Sequence, residues 1–200
     1  MTGFGTDKKL IAYIAKFRES KNHIFLLDVL KILPEDFVLY MKGPLVESGP
    51  LFDKDRSVFN SLKSKIDEYG LRKRVQLETG FFEDIEEYYQ MADVYAFPSL
   101  SEGLGTPVLE AIACGVPVVS NNIPDVTDTW IKDGINGYLS EMDTAKFADK
   151  IMQSLSIGSD LFKLSSSEIL NAAGTSVIDR KYIELINGLI TIRERGLKYQ

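Results

Sequence analysis

Two glutamates separated by seven residues, Glu102 and Glu110, bracket the turn Gly103-Leu104-Gly105-Thr106-Pro107. Two lysines, Lys16 and Lys21, sit in a polar loop near the start of the chain. The turn reads as the entry to a short helix, with Thr106 as N-cap and Pro107 at the first helical position, where a missing N–H costs nothing. A helix start carries unpaired N–H groups and partial positive charge, so it receives an anion such as a phosphate. A carboxylate beside that anion is repelled unless it accepts from a neutral hydroxyl-bearing group. Phosphate donors next to hydroxyl-accepting carboxylates point to a sugar nucleotide. Each feature also has an ordinary reading: glutamates at a helix start stabilised by the dipole, loop lysines in solvent, glycines in a turn. Gly103 and Gly105 do not complete a G-x-G-x-x-G dinucleotide fingerprint.

Residues 97–120, F-P-S-L-S-E-G-L-G-T-P-V-L-E-A-I-A-C-G-V-P-V-V-S, set this turn between two buried strands. Near the start, Leu10-Ile11-Ala12-Tyr13-Ile14-Ala15 is a continuous apolar run, the pattern of a central strand covered on both faces. After the polar loop at 16–20, a helix carries Ile24, Leu27 and Leu30 and stops at Pro34. Phe37-Val38-Leu39-Tyr40-Met41 is a second strand. Residues 45–55 read as an exposed loop and 56–69 as an amphipathic helix closed by Gly70. A short strand at Val75-Gln76-Leu77, a helix over 84–91 and the strand Val94-Tyr95-Ala96-Phe97 lead to the central turn. Beyond it come a small helix over 126–131, a double turn at 132–137 and the brief strand Tyr138-Leu139. Helices follow, with Ser165-x-x-Glu168 as a capping box and a last helix over 177–195.

Strand and helix alternate, which predicts an α/β fold with a doubly wound parallel sheet. The order 3-2-1-4-5-6 would put a ligand crevice between the first and fourth strands, where the loops at 16–21 and 99–106 converge. The expected division is a lead-in at 1–8, a Rossmann-like domain at 9–157 and a helical tail at 158–200 packed on it. A net charge of −6 and a pI near 4.9 argue against non-specific nucleic-acid binding. The single cysteine, Cys114, precludes an intramolecular disulfide and suits a reducing compartment. It reads as a small buried hydrophobe. His23 has no second histidine or cysteine pair to share a metal with, and reads as a surface residue at a helix terminus. Asp53-Lys54-Asp55 reads as solvated charge, and Tyr88, Tyr89 and Tyr95 as packing residues. With no apolar run long enough to span a bilayer, a cytoplasmic location is expected, with peripheral association at the inner face of a membrane left open.

Residues 101–120 resemble the Glu-x7-Glu region of the retaining GT-B glycosyltransferases of the glycogen-synthase-like group, family 4. Tyr88-x-x-Met91-Ala92-Asp93-Val94 is similar to that family's Y-x-x-A-D-V segment, and Asp133-Gly134-Ile135-Asn136-Gly137 to its D-G-x-N-G turn. Ala15-Lys16-Phe17-Arg18-Glu19-Ser20-Lys21 resembles its G-R-L-x-x-x-K phosphate loop. The resemblance implies the C-terminal, donor-binding half of a GT-B enzyme, with a nucleotide-diphosphate sugar as donor substrate and no metal or other cofactor. By position, Lys16 and Lys21 would contact the diphosphate, and Leu104, Gly105 and Thr106 would donate backbone N–H groups to it, beside Gly103. Glu110 would accept from the ribose and Glu102 would sit beside the donor sugar, making Glu102, Lys16 and Lys21 the catalytic set. Phe81 and Phe82 read as flanking the base, with one of them as a core residue the alternative.

The chain departs from that pattern in three places. Ala15 replaces a glycine, Lys16 replaces an arginine and so loses its bidentate fork, and Asn121-Asn122-Ile123-Pro124-Asp125 replaces a glycine-rich segment. The family's acceptor-binding N-terminal domain does not fit before the first strand, so an N-terminal domain in the same or a separate chain is the expected partner, and the isolated chain is expected to be inactive. Two other readings stay open: half of a sugar-nucleotide epimerase or phosphorylase-like enzyme, and a non-catalytic nucleotide-sugar-binding or scaffolding domain.

Overall fold

A computed structural model describes residues 3–45, 48–81 and 83–194. Six strands, β1 (Lys9–Ile14), β2 (Phe37–Gly43), β3 (Val75–Thr79), β4 (Val94–Phe97), β5 (Val118–Asn121) and β6 (Gly137–Ser140), form one sheet in the order β3-β2-β1-β4-β5-β6, with every pairing parallel. Parallel strands need helical crossovers, and those helices cover both faces. The central strands are accordingly apolar without alternation: Ile11 to Ile14 and Val94 to Phe97 are all buried.

The crossover helices are α1 (His23–Ile32), α2 (Phe52–Glu68), α3 (Ile85–Gln90), α4 (Thr106–Ala113) and α5 (Thr127–Trp130). After the sheet come α6 (Thr144–Ser154), α7 (Ser159–Ala173) and α8 (Thr175–Glu194). α1 packs with α2 and α6 on one face, and α4 packs with α3 and α7 on the other. The doubly wound architecture and strand order agree with the sequence. The chain runs outward from β1 to β3, then returns to β4 beside β1, so the crevice opens between the carboxyl ends of β1 and β4. Among the described residues, no helix is long and apolar enough to cross a membrane.

Several local expectations are corrected. The helix expected from residue 56 begins at Phe52, and Asp55 is buried, accepting from Arg18 Nε and Nη2 at 3.4 and 3.2 Å. Its charge is compensated by a partner from the first loop, a pairing with no local sequence signal. His23 is buried, not on the surface, with its ring 4.8 Å from that of Tyr13 and 5.0 Å from that of Phe17. Ser165 and Glu168 are no capping box, because both lie inside α7. Ser165 Oγ accepts from Asn136 Nδ2 at 2.7 Å, and Glu168 pairs with Lys132 at 2.7 Å. These bonds, the Ser166 hydroxyl on the Ile112 carbonyl, and buried Phe162 and Ile169 fix α7 to α4 and to the turn before β6. α8 packs on α7 and exposes Tyr182, Ile183 and Leu185.

Candidate donor site at the switch point

Gly105 makes the turn into α4. Its φ of +69° lies in the left-handed region, and a Cβ there would sit 3.1 Å from Val126 Cγ1. Gly105 is therefore the N-cap, one residue earlier than Thr106, and Pro107 occupies the second helical position. A glycine cap has no side chain to offer the orphan N–H groups of the first turn. The N–H groups of Leu104, Gly105 and Thr106 have no acceptor among the described residues. Three successive free donors at the positive end of a helix make an anion cradle. Gly105→Ala should cost about 1–2 kcal/mol from the left-handed backbone alone, plus the Val126 contact. It should also tilt the cradle, so that a diphosphate binds at least several-fold more weakly than to wild type in a calorimetric titration.

The loops after β1 and β4 are tied directly across the crevice. Leu100 N–H donates to Ser20 O at 2.8 Å. The buried Tyr13 hydroxyl donates to Lys21 O at 2.7 Å and lies 3.2 Å from Ser99 Oγ. Burial keeps that phenol protonated, far above its ordinary pKa. The Lys21 ammonium meets the Glu102 carboxylate at 2.5 Å, with both side chains largely withdrawn from solvent. The cation predicted for phosphate and the carboxylate predicted for sugar thus form one ion pair at the mouth of the crevice.

Lys16 is placed differently. It is exposed and lines a groove of about 770 Å³ with Pro44, Leu45, Phe52, Arg56, Thr79, Gly80 and Phe81. Phe81 is 84% exposed there, so it is free to meet a flat ligand, whereas Phe82 lies outside the described residues. Arg56 adds a cation to this groove with no local signal in the sequence, since it lies within an amphipathic helix. The two lysines therefore face adjoining parts of the opening, Lys21 towards β4 and Lys16 towards β2 and β3. Gly103 is exposed and open above the cradle.

Glu110, half-buried one turn into α4, accepts from the Tyr89 hydroxyl at 2.7 Å. Tyr89 is thus more than a packing residue. The tyrosine at strict Y-x-x-A-D-V spacing is also Tyr89, which the sequence comparison had placed at Tyr88. Tyr88 instead accepts from Lys42 Nζ on β2 at 2.8 Å. Cys114 is half-buried against the core, and burial pushes its thiol pKa up, as befits a packing residue. Among the described residues no cluster of three His, Cys, Asp or Glu side chains is arranged to hold a metal ion.

Comparison with known proteins places this geometry in context. The model of the family described as glycosyl transferases group 1 matches residues 2–168. D-inositol 3-phosphate glycosyltransferase of Mycolicibacterium smegmatis is 32% identical over 155 residues, covering 76% of this chain and 34% of that protein. O-antigen chain mannosyltransferase B of Escherichia coli is 30% identical over 145 residues, covering 72% and 36%. The chain therefore spans about a third of the length of these relatives. Among solved structures, Anabaena HepE in complex with UDP superposes with a TM-score of 0.79 at 18% identity, over 91% of this chain and 49% of that one. Sucrose-phosphate synthase from Thermosynechococcus elongatus gives 0.81 at 21% identity, over 94% and 47%. At these identities the superpositions show a shared fold.

Proposed function

This chain belongs to the group 1 glycosyl transferases, and we propose that it is the half of such an enzyme that binds the nucleotide-sugar donor. The observation that carries the reading is the free N–H triad of Leu104, Gly105 and Thr106 beside the Lys21–Glu102 pair. Curated relatives that transfer sugars and neighbours crystallised with UDP favour the same ligand class. The base and part of the diphosphate would lie in the Lys16, Arg56 and Phe81 groove, and the terminal phosphate on the α4 cradle. Glu110 would accept from the ribose, and Glu102 from the hydroxyls of the transferred sugar.

In the reaction, the bond between the anomeric carbon and the phosphate oxygen breaks, and its electron pair passes to the diphosphate. The acceptor hydroxyl forms the new bond and passes its proton to the departing diphosphate oxygen. Negative charge grows on the leaving diphosphate, where Lys21, Lys16 and the helix N-terminus would stabilise it. Donors fixed before the reaction stabilise the transition state more than the ground state. These groups supply the positive charge that another enzyme would draw from a divalent ion, so transfer is proposed to be metal-independent, and retaining as in the family it resembles. The acceptor site belongs to an N-terminal domain in the same or another chain, without which transfer is expected to be absent. A cytoplasmic setting fits the single free thiol.

Titration calorimetry against UDP, GDP and ADP tests the reading. Wild type is expected to bind one of them, and Lys21→Ala to weaken that ligand by about ten- to thirtyfold, the loss of one charge-assisted contact. Equal affinity in the folded variant would remove Lys21 from the site. A scaffolding role would be favoured if no nucleotide bound either this chain or its assembly with the N-terminal half.

A further inference from the structure

The Tyr89–Glu110 contact does something that packing does not require. Tyr89 is 1% exposed and its ring meets that of Tyr95 edge-on at 5.2 Å. Tyr95 is in turn anchored by its hydroxyl on the Ile14 carbonyl at 3.0 Å. The Tyr89 hydroxyl therefore has one fixed direction, and it ends on Glu110 Oε2 at 2.7 Å. Oε1 of the same carboxylate has no partner among the described residues. Burial and the adjoining carboxylate keep the phenol protonated, and in this contact it donates.

We propose that Tyr89 is a positioning residue for ribose recognition, holding one oxygen of Glu110 so that the other is presented to the sugar hydroxyls of a ribonucleoside diphosphate. This rests on the reading of Glu110 as the ribose acceptor. A glutamate on an exposed helix turn samples several rotamers, and ordering it costs entropy at binding. Tying one oxygen to a rigid phenol meets that cost in the unliganded protein, which is the general gain of preorganisation. A carboxylate has about four lone-pair sites, so accepting from Tyr89 leaves capacity for a vicinal diol. The device would make the site selective for ribonucleotides over 2′-deoxyribonucleotides.

The test compares affinities of the full chain for UDP, GDP and ADP with those for dUDP, dGDP and dADP, in wild type, Tyr89→Phe and Glu110→Gln. Phenylalanine keeps the ring against Tyr95, and the ratio of two affinities is insensitive to a change in folded fraction. Wild type should prefer the ribo form of its cognate base by about tenfold, the worth of a hydrogen bond to a charged group. Both variants should reduce that preference to about twofold or less, with the deoxy form bound nearly as in wild type. If Glu110→Gln loses the preference while Tyr89→Phe keeps it, Tyr89 only packs and the proposal fails while the ribose reading stands. A Tyr89→Phe variant that weakens ribo and deoxy forms equally has the same meaning. Should Glu110→Gln keep the preference, or wild type bind none of the six, the ribose reading fails and carries the proposal with it.

Discussion

Gly43→Ala is expected to lower stability by at least about 3 kcal/mol, among the larger effects open to a single added methyl group. Gly43 ends β2 where the backbone of β1 crosses closest. A Cβ there would lie 1.8 Å from the Ala15 carbonyl oxygen, 2.6 Å from its carbon and 3.2 Å from the Lys16 nitrogen. All three are main-chain atoms, so no rotamer change relieves the clash. The strands can separate only by giving up the bonds from Ala15 N–H to Lys42 O and from Gly80 N–H to Gly43 O, each 3.1 Å. Those bonds seat the loops that carry Lys16 and Phe81, so residual folded protein should also bind nucleotide poorly. Urea unfolding followed by circular dichroism measures the loss. Gly103→Ala is the control, because no atom lies within 4 Å of a Cβ built there, and its midpoint should stay near wild type. A wild-type midpoint for Gly43→Ala would contradict the packing described at the end of β2.

The second large effect is a pH dependence carried by His23. Burial pulls its pKa down from 6.5 to about 3; the nearby Ala15 carbonyl opposes this and Lys21 adds to it. Neither ring nitrogen makes a well-formed hydrogen bond. The folded state therefore holds a neutral imidazole that the unfolded chain protonates below about pH 6.5. Between that value and about 3 the unfolded state binds the extra proton, so stability is fully present above the unfolded pKa and falls on acidification. Over the whole window the shift is worth roughly 4–5 kcal/mol, of which about 2–3 kcal/mol is lost by pH 4.5. His23→Phe keeps the aromatic contacts with Tyr13 and Phe17 and removes the titrating group. Unfolding free energies measured by denaturant from pH 7.5 to 4.5 should fall more steeply for wild type than for His23→Phe, by that amount. Parallel profiles would show that His23 is hydrated or paired in solution.

The sheet was legible because its cause is local. Unbroken apolar runs such as 10–15 and 94–97 signal strands buried on both faces, and their alternation with helices leaves few topologies. The start of α4 was legible for the same reason, since glycine and proline in Gly105-Thr106-Pro107 announce a helix start, one residue earlier than expected because glycine is the cap. What was hidden depends on partners distant in sequence. Asp55 reads as solvated from its neighbours in sequence, whereas Arg18 compensates it from the loop after β1, and His23 reads as a surface residue, whereas Tyr13 and Phe17 pack over it. Tyr89 read as packing because nothing in α3 alone says that Glu110, on α4, stands at the end of its hydroxyl. The divergence of Lys16 from Lys21 was hidden likewise, since a loop's sequence does not say which way successive side chains leave it.

On the proposed reading, the start of α4 receives the diphosphate of a nucleotide. Amide chemical shifts of the chain, recorded by two-dimensional NMR during titration with UDP, GDP and ADP, test it at the atoms concerned. The largest changes are expected at the N–H groups of Leu104, Gly105 and Thr106, with smaller ones at residues 16–21 and at Phe81. Saturating shifts centred elsewhere, or none at these three amides with any of the nucleotides, would contradict the account.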